Sequence, residues 1–77
     1  MTFGTKLAQK RKKKGLSAEE LAQKCGISRS YITLIETDKR MPGKLMLPKI
    51  ANALGLKTNR IINWYLEDIR EKLEIIK

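Results

Sequence analysis

The segment "LSAEELAQKCGISRSYITLIET", residues 16–37, contains two short helix signatures on either side of one glycine. Ser17 followed by Glu20 forms a capping box, in which each side chain accepts a hydrogen bond from the other residue's backbone amide. The apolar residues that follow recur with the period of a helix. We therefore predict a helix over Ala18–Cys25, closed by Gly26.

A second helix signature begins directly after this glycine. Ser28 is a candidate N-cap, because its hydroxyl can accept a hydrogen bond from a free amide of the first turn. The pairs Leu16/Leu21 and Ile27/Ile32 both have the spacing of a hydrophobic staple, a contact between apolar side chains on the two sides of a cap. Two staples, with about three residues between the helices, predict a helix-turn-helix.

The second of these helices has two chemically different faces when it is drawn at about 100° per residue. Ile32 and Ile35 share the inner face, with Tyr31 beside them. The opposite face carries Arg29, Ser30, Thr33, Leu34 and Thr37. The outer face is thus polar apart from one leucine, so this leucine requires an explanation.

The composition limits the choice of partner. The chain has 77 residues, of which 42% are hydrophobic and 32% charged, the balance of one small globular domain. Lysine and arginine number 17 against 8 acidic residues, a formal charge of +9. Residues 1–62 carry 14 basic and 4 acidic side chains, whereas residues 63–77 carry 3 and 4. The body of the chain therefore attracts polyanions, either nucleic acid or an anionic membrane surface, and the tail has a different task.

Several classes of function are disfavoured. With no histidine and a single cysteine, Cys25, the sequence offers no metal-ligand cluster and no nucleophile paired with a base. We expect no enzyme and no cofactor, and we interpret Cys25 as a small buried hydrophobe. No apolar run approaches the roughly 20 residues that span a bilayer, and no signal-peptide pattern is present. The expected location is the reducing cytoplasm.

A first helix is predicted before the helix-turn-helix. Phe3, Leu7 and the stem of Arg11 recur every four residues, and the helix should end near Gly15. The basic run Lys10–Lys14 at its end has two readings. It is either a solvated helix end, favoured by the helix dipole, or a patch that contacts phosphates. The run taken alone favours the solvated helix end.

A fourth helix is predicted to begin near residues 45–47, because Pro48 is tolerated only in a first turn. Gly55 should end it. The buried stripe of this helix is expected to consist of Leu47, Ile50, Ala51 and Leu54.

Residues 18–37 resemble the helix-turn-helix of the phage repressor and Cro-type (XRE) DNA-binding family. The residues that carry the resemblance are Leu21, Ala22, Gly26, Ile27, Ile32 and Ile35. The flanking helices have matching spacing, so the resemblance covers about residues 3–62. It implies an all-α fold, a five-helix lambda-repressor-like domain with an extended C-terminal helix. The small size also resembles the controller proteins of restriction–modification systems.

The resemblance assigns roles to individual residues. In the family, the outer N-terminal face of the second helix of the motif enters the major groove of DNA. The positions that commonly meet base edges match Arg29, Ser30, Thr33 and Leu34. Lys39, Arg40 and Lys44, in the loop after this helix, match family positions that flank the groove. Three further candidates for phosphate contacts are Ser17, because helix N-termini favour anions, Tyr31 through its hydroxyl, and Thr37. Arg11 and Glu36 match a structural ion pair that joins the first helix to the recognition helix.

Two residues depart from the family pattern. Ala18 stands where the family often has a glutamine that reaches DNA, so base reading falls more heavily on Arg29, which can donate two hydrogen bonds to guanine. Leu34 stands where many relatives have a polar residue. Either Leu34 covers the methyl group of a thymine, or it packs against a neighbouring side chain and reads nothing.

The C-terminal tail has its own apolar pattern. A coiled-coil-like seam of about two heptads is formed by Ile62, Leu66, Ile69, Leu73 and Ile76, spaced 4, 3, 4 and 3 residues apart. Trp64 and Tyr65 add apolar area that one small domain can scarcely cover. The tail either folds back onto its own domain or packs on its twin, and we expect a homodimer interface. We accordingly divide the chain into a DNA-binding domain, 1–62, and a helical extension, 63–77.

These expectations describe a sequence-specific regulator of transcription that binds double-stranded DNA. It is most simply a repressor, acting as a homodimer on a near-palindromic operator. The alternative is an antitoxin or adaptor whose C-terminal helix binds another protein while the domain binds DNA. Membrane binding is not expected, because the basic residues do not oppose one wide apolar face. No small-molecule ligand is evident.

Overall fold

The computed structural model describes residues 1–75, which form five helices and the turns and loops between them. The helices are α1 (Phe3–Lys13), α2 (Ala18–Cys25), α3 (Arg29–Glu36), α4 (Met46–Leu54) and α5 (Thr58–Ile75). No strand occurs among these residues. The prediction of an all-α fold is confirmed, and Pro48 lies in the first turn of α4, as the steric limits on proline require.

Helices α2 and α3 form the helix-turn-helix through the local contacts that the sequence predicts. Ser17 Oγ accepts a hydrogen bond from the Glu20 amide at 3.0 Å, and the Ser17 amide donates to Glu20 Oε1 at 2.9 Å. Gly26 ends α2 in the left-handed conformation, with φ of 70°, which a residue with a Cβ adopts only with strain. Ser28 Oγ accepts from the Tyr31 amide at 3.1 Å and so starts α3.

One apolar core lies between the five helices, and every helix contributes to it. Its buried members are Phe3, Leu7, Leu21, Ala22, Cys25, Ile32, Ile35, Leu47, Ile50, Ala51, Leu54 and Ile61. The stripe predicted for α4 is therefore confirmed. Cys25 is also buried, and burial raises the pKa of its thiol, so it remains protonated and unreactive at neutral pH.

The start of α1 packs closely against the end of α3 at Gly4. A Cβ placed on Gly4 would overlap the carbonyl oxygen of Ile35 and lie 2.9 Å from that of Glu36. Because backbone atoms cannot move aside as a flexible side chain can, only glycine fits at this crossing. The position of α3 in the fold therefore depends on the absence of a side chain at Gly4.

Helix α5 folds back onto the domain over much of its length. Ile61 is fully buried, and the rings of Trp64 and Tyr65 meet Phe3 edge to face, with centroids 6.4 and 6.2 Å apart. Trp64 and Tyr65 are therefore partly covered by their own domain, and the expectation that one small domain can scarcely cover them is wrong. The helix is also continuous across residue 62, where the sequence analysis placed a domain boundary.

A buried carboxylate, that of Asp68, lies in the middle of α5. Asp68 is only 1% exposed, and its Oδ2 atom lies 3.4 Å from Lys72 Nζ on the next turn. At the edge of the same contact, Lys6 of α1 forms an ion pair with Glu67 that lowers the pKa of this carboxyl. The inner face of α5 is thus fixed to α1 by both aromatic and ionic contacts.

Candidate nucleic-acid interface

The outer face of α3 is exposed over the first two turns of the helix. One shallow groove on this surface is lined by Arg29, Ser30, Thr33 and Leu34. The structure therefore brings together the four side chains that the family resemblance assigns to base reading. Leu34 is 37% exposed, so a third of its surface is available within an otherwise polar groove.

The inner face of α3 fixes the orientation of this groove. Ile32 and Ile35 are buried in the core, which leaves α3 no freedom to rotate about its axis without exposing them. Glu36 adds a directional contact, because its carboxylate accepts two hydrogen bonds from Arg11, at 2.7 Å from Nε and 3.0 Å from Nη2. This bidentate contact raises the pKa of the Arg11 guanidinium.

Arg11 connects three parts of the domain through one planar group. Its Nη1 atom donates to the carbonyl oxygen of Leu16 at 2.8 Å, in the turn that leads into α2. The Arg11 and Glu36 side chains are only 12% and 10% exposed. Arg11 therefore differs from the lysines around it, since its charge is directed into the scaffold and is not presented to solvent.

The start of α2 offers backbone amides to an anion, beside the capping box of Ser17. Glu20 already occupies the Ser17 amide, and this hydrogen bond lowers the pKa of the Glu20 carboxyl. The amides of Ala18 and Glu19, in the first turn, are not used by the capping box. A phosphate at this end would bind these amides and the Ser17 hydroxyl, against the negative charge of Glu20.

The loop after α3 holds a second group of cations next to the recognition helix. The amides of Lys39 and Arg40 both donate to the carbonyl oxygen of Leu34, at 3.0 and 3.2 Å, and this fixes the loop to the helix end. The Arg40 guanidinium lies over the Tyr31 ring, 5.2 Å from its centroid. Lys44 is exposed further along the same loop.

Thr37 has a different role in the structure. Its hydroxyl donates to the carbonyl oxygen of Thr33 at 2.7 Å, one turn back along the helix. The Thr37 side chain therefore closes the end of α3, although its oxygen can still accept a further hydrogen bond.

Three further residues position the recognition helix and were not identified from the sequence. Asp38 adopts the left-handed conformation, with φ of 62°, directly after α3. Its carboxylate accepts a hydrogen bond from the Thr2 hydroxyl at 2.8 Å, next to the close approach of Gly4 to α3. The sequence contained a signal for Asp38 alone, because aspartate tolerates positive φ better than most residues.

The residues predicted for the dimer interface lie on the outer face of α5 and not on the recognition helix α3. Ile62, Leu66 and Leu73 are 38%, 55% and 62% exposed, and Ile69 is half-buried. They adjoin an open groove lined by Asn63, Leu66, Glu67, Ile69, Arg70, Leu73 and Glu74. Ile76, the last member of the predicted seam, lies outside the described residues.

The described residues contain neither a metal-binding cluster nor a membrane-spanning helix. Over residues 1–75, no group of three or more potential metal ligands comes together. None of the helices in that range is long and apolar enough to cross a membrane.

Fold and site together define a helix-turn-helix domain of repressor type, with an exposed groove on the second helix of the motif. The family profile described as "Helix-turn-helix" matches residues 7–61, and the chain belongs to this family, in its phage-repressor (XRE) branch. The family is one of regulators and not of enzymes, in agreement with the sequence analysis.

Two curated relatives show the extent of the sequence similarity. The immunity repressor protein of Bacillus phage phi105 is 37% identical over 62 residues, which are 80% of this chain and 43% of the relative. The transcriptional regulator SinR of Bacillus licheniformis is 34% identical over 62 residues, 79% of this chain and 56% of the relative. The chain therefore spans about half the length of these relatives.

Solved structures match the fold more completely. The restriction-modification controller protein C.AhdI from Aeromonas hydrophila is 36% identical, with a TM-score of 0.73 over 77% of this chain and 89% of that chain. A structure of SinR, described as the master regulator for biofilm formation and determined in complex with DNA, is 32% identical. Its TM-score is 0.72 over 79% of this chain and 98% of that chain.

Proposed function

We propose that this chain is a sequence-specific regulator of transcription, most simply a repressor, that acts as a homodimer on a near-palindromic operator in double-stranded DNA. The observation that carries the proposal is the groove of Arg29, Ser30, Thr33 and Leu34 on a helix whose inner face is fixed in the core. The similarity to a phage immunity repressor and to a regulator solved with DNA supports it. This role is compatible with the cytoplasmic location expected from the sequence.

The groove residues supply contacts of different specificity. Arg29 can donate two parallel hydrogen bonds to O6 and N7 of a guanine, which discriminate against other bases by about 1–3 kcal/mol. The hydroxyls of Ser30 and Thr33 can bond to several bases or to phosphate, so they specify less. Leu34 presents apolar surface to the methyl group of a thymine. Each half-site should therefore contain a required guanine next to a preferred thymine.

Phosphate contacts on both sides of the groove would set the register of the duplex. On one side are the α2 amides and Ser17, and on the other are Lys39, Arg40 and Lys44 in the loop after α3. Tyr31 supports this loop through its contact with Arg40. Since each phosphate neutralised releases condensed counterions, we expect the affinity to fall steeply as salt rises.

The homodimer part of the proposal rests on the outer face of α5. Leu66 and Leu73 are more than half exposed, and Arg70 lies beside them with the acidic Glu67 and Glu74 along the same groove. A surface that carries both signs of charge around an apolar stripe is complementary to itself about a two-fold axis. The alternative, an antitoxin or adaptor, uses the same face to bind a different protein.

Selection from a random duplex library at physiological salt tests this proposal. We expect an enriched inverted repeat whose half-sites are about one DNA turn, roughly 34 Å, apart. Arg29→Ala should lose the preference for guanine, whereas Lys24→Ala, which changes an exposed cation on α2, should select the same sequence as wild type.

Other results of the selection would contradict parts of the proposal. Enrichment of a single half-site would contradict the homodimer and favour a chain that needs another protein. No enrichment, with only salt-sensitive bulk binding, would contradict sequence-specific recognition.

A further inference from the structure

A second basic groove lies between α1 and the first turns of α5. Its lining consists of Lys6, Gln9, Lys10, Lys13, Arg60 and Trp64, and we call it the α1/α5 groove. An adjoining groove shares Arg60 and adds Lys57, Asn59 and Asn63. The α1/α5 groove contains no residue that the operator-binding proposal uses, and the adjoining groove shares only Asn63 with the α5 groove of the proposed dimer.

The α1/α5 groove is separated from the recognition helix by the body of α1. Arg11 and Gly4 mark the face of α1 that meets α3, through the contacts with Glu36 and with the α3 carbonyl groups. The face of α1 that meets α5 carries Phe3, through its contact with Trp64. The α1/α5 groove and the recognition helix therefore lie against different faces of α1.

The cations in this groove repel each other. Partial burial lowers the pKa of Lys10, and the positive charges of Arg60, Lys14 and Lys13 lower it further. Among the ion pairs of residues 1–75, only Lys6 in this set has a carboxylate partner, Glu67. Like charges held together disfavour the folded state, and a bound polyanion would relieve the repulsion.

The neutral part of the surface favours nucleic acid over an acidic protein. The neutral side chains that line the two grooves are the amides of Gln9, Asn59 and Asn63 and two half-buried apolar groups, Trp64 and Leu56. Protein–protein interfaces rely on a desolvated apolar centre, whereas protein–DNA interfaces are more polar and much more positive. Lys10 and Lys13 are three residues apart on a helix, about 4.5 Å along its axis, close enough to contact neighbouring phosphates.

We propose that the α1/α5 groove binds the phosphate backbone of a second segment of duplex DNA. A chain whose recognition helix occupies one duplex can then hold flanking or separate DNA on the other side of α1. The contacts are to phosphates only, so this second site has no sequence preference. The inference goes beyond operator recognition and does not depend on it, since the two surfaces share no residue.

Trp64 is the only tryptophan of the chain and lies in this groove, so its fluorescence reports on the second site directly. The experiment saturates the protein with a selected operator duplex and then adds a labelled duplex of unrelated sequence at about 0.1 M salt. We expect the labelled duplex to bind, with a change in Trp64 emission that is absent from the first, operator-binding step.

The groove variant for this experiment is Lys13→Gln/Arg60→Gln. It should bind the second duplex at least tenfold more weakly, with a salt dependence shallower by about two, because two phosphate contacts are lost. Its operator binding should be unchanged. Lys24→Gln/Lys49→Gln removes the same charge from exposed positions on α2 and α4 and should behave as wild type. If the first variant folds poorly, Lys10→Gln/Lys13→Gln replaces it.

Operator reading is tested separately by Arg29→Ala/Thr33→Ala, which should lose the first step and keep the second. If the operator proposal fails, duplex binding in the α1/α5 groove can still be measured by the change in Trp64 emission. The inference is overturned if the groove variant binds the second duplex as wild type does, or if it loses both steps equally. Absence of a second step in wild type, or tighter binding of single-stranded RNA or poly-glutamate than of duplex, overturns it as well.

Discussion

Leu34 is the residue whose role the structure changes most. It shares its groove with Arg29, Ser30 and Thr33. With 37% of its surface exposed, Leu34 packs partly against the protein and still presents apolar area to a ligand. The partial packing of Leu34 therefore does not exclude a base contact. Contact with a thymine methyl group would bury the surface that internal packing leaves open.

A change of one methyl group in DNA tests this contact. Replacing the thymine of each half-site by uracil should weaken wild-type binding about fourfold per half-site, because one buried methyl group contributes about 0.8 kcal/mol. Leu34→Ala should bind both duplexes equally, and Thr33→Ala should retain the preference for thymine. Titrations of labelled duplexes measure all three. Equal loss of affinity in wild type and Leu34→Ala would show that another residue reads the methyl group.

At the scale of the element, the predictable helices are those whose ends are determined locally. The capping box of Ser17 and Glu20 and the N-cap Ser28 act within one turn, so the sequence alone located the starts of α2 and α3. The same logic placed α4 around Pro48. Caps and staples involve residues a few positions apart, and a linear pattern contains that information in full.

Other features depend on residues distant in sequence, and these were missed. Gly4 matters only because the end of α3 lies against it, more than 30 residues later. Asp68 resembles a surface residue in the sequence, yet it is buried in the folded domain. The interpretation of the tail as a coiled-coil-like seam left Trp64 and Tyr65 uncovered by the domain, whereas both rings contact Phe3. Heptad spacing does not specify which helix covers which face of the tail.

The capping box at the start of α2 predicts a contribution to folding stability that depends on pH. The hydrogen bond from the Ser17 amide lowers the pKa of Glu20 below its ordinary value of 4.5. A carboxyl with a lowered pKa in the folded state stabilises the protein above its unfolded pKa, and this contribution disappears as the pH falls through the folded pKa. Wild type should therefore unfold at a higher temperature than Glu20→Gln at pH 7, and at the same temperature near pH 2.

Thermal unfolding by circular dichroism between pH 2 and 7 measures this difference. Glu19→Gln is the matched control, because Glu19 lies in the same first turn but takes no part in the capping box. Its difference from wild type should be smaller, since only the helix dipole acts on it. A Glu20→Gln difference that stays constant over the whole pH range would show that the cap acts through shape and not through charge.

The whole molecule presents three candidate binding surfaces. The α3 groove (Arg29, Ser30, Thr33 and Leu34) lies on the recognition helix, the α1/α5 groove lies between those two helices, and the outer stripe of α5 consists of Ile62, Leu66, Ile69 and Leu73. The inner face of α5 is used by Phe3 and α4, so only the outer stripe remains for a second copy.

The last prediction concerns the outer stripe of α5. Leu66→Gln/Leu73→Gln should convert a dimer into a monomer at tens of micromolar, because these two leucines are more exposed than Ile62 and Ile69, the other described residues of the stripe. Sedimentation velocity measures the mass. Operator affinity should fall together with dimerisation, since a monomer contacts one half-site only, while the helix content should stay the same because neither side chain is in the core.

Leu45→Gln provides the control for this change. Leu45 is 80% exposed, more than either leucine of the stripe, but it lies at the start of α4. If exposure of any leucine drove association, Leu45→Gln would lower the dimer fraction as much as either substitution on α5 does alone. If the stripe is the interface, Leu45→Gln remains dimeric. A wild-type chain that sediments as a monomer at these concentrations would contradict self-association and favour a different protein on the same face.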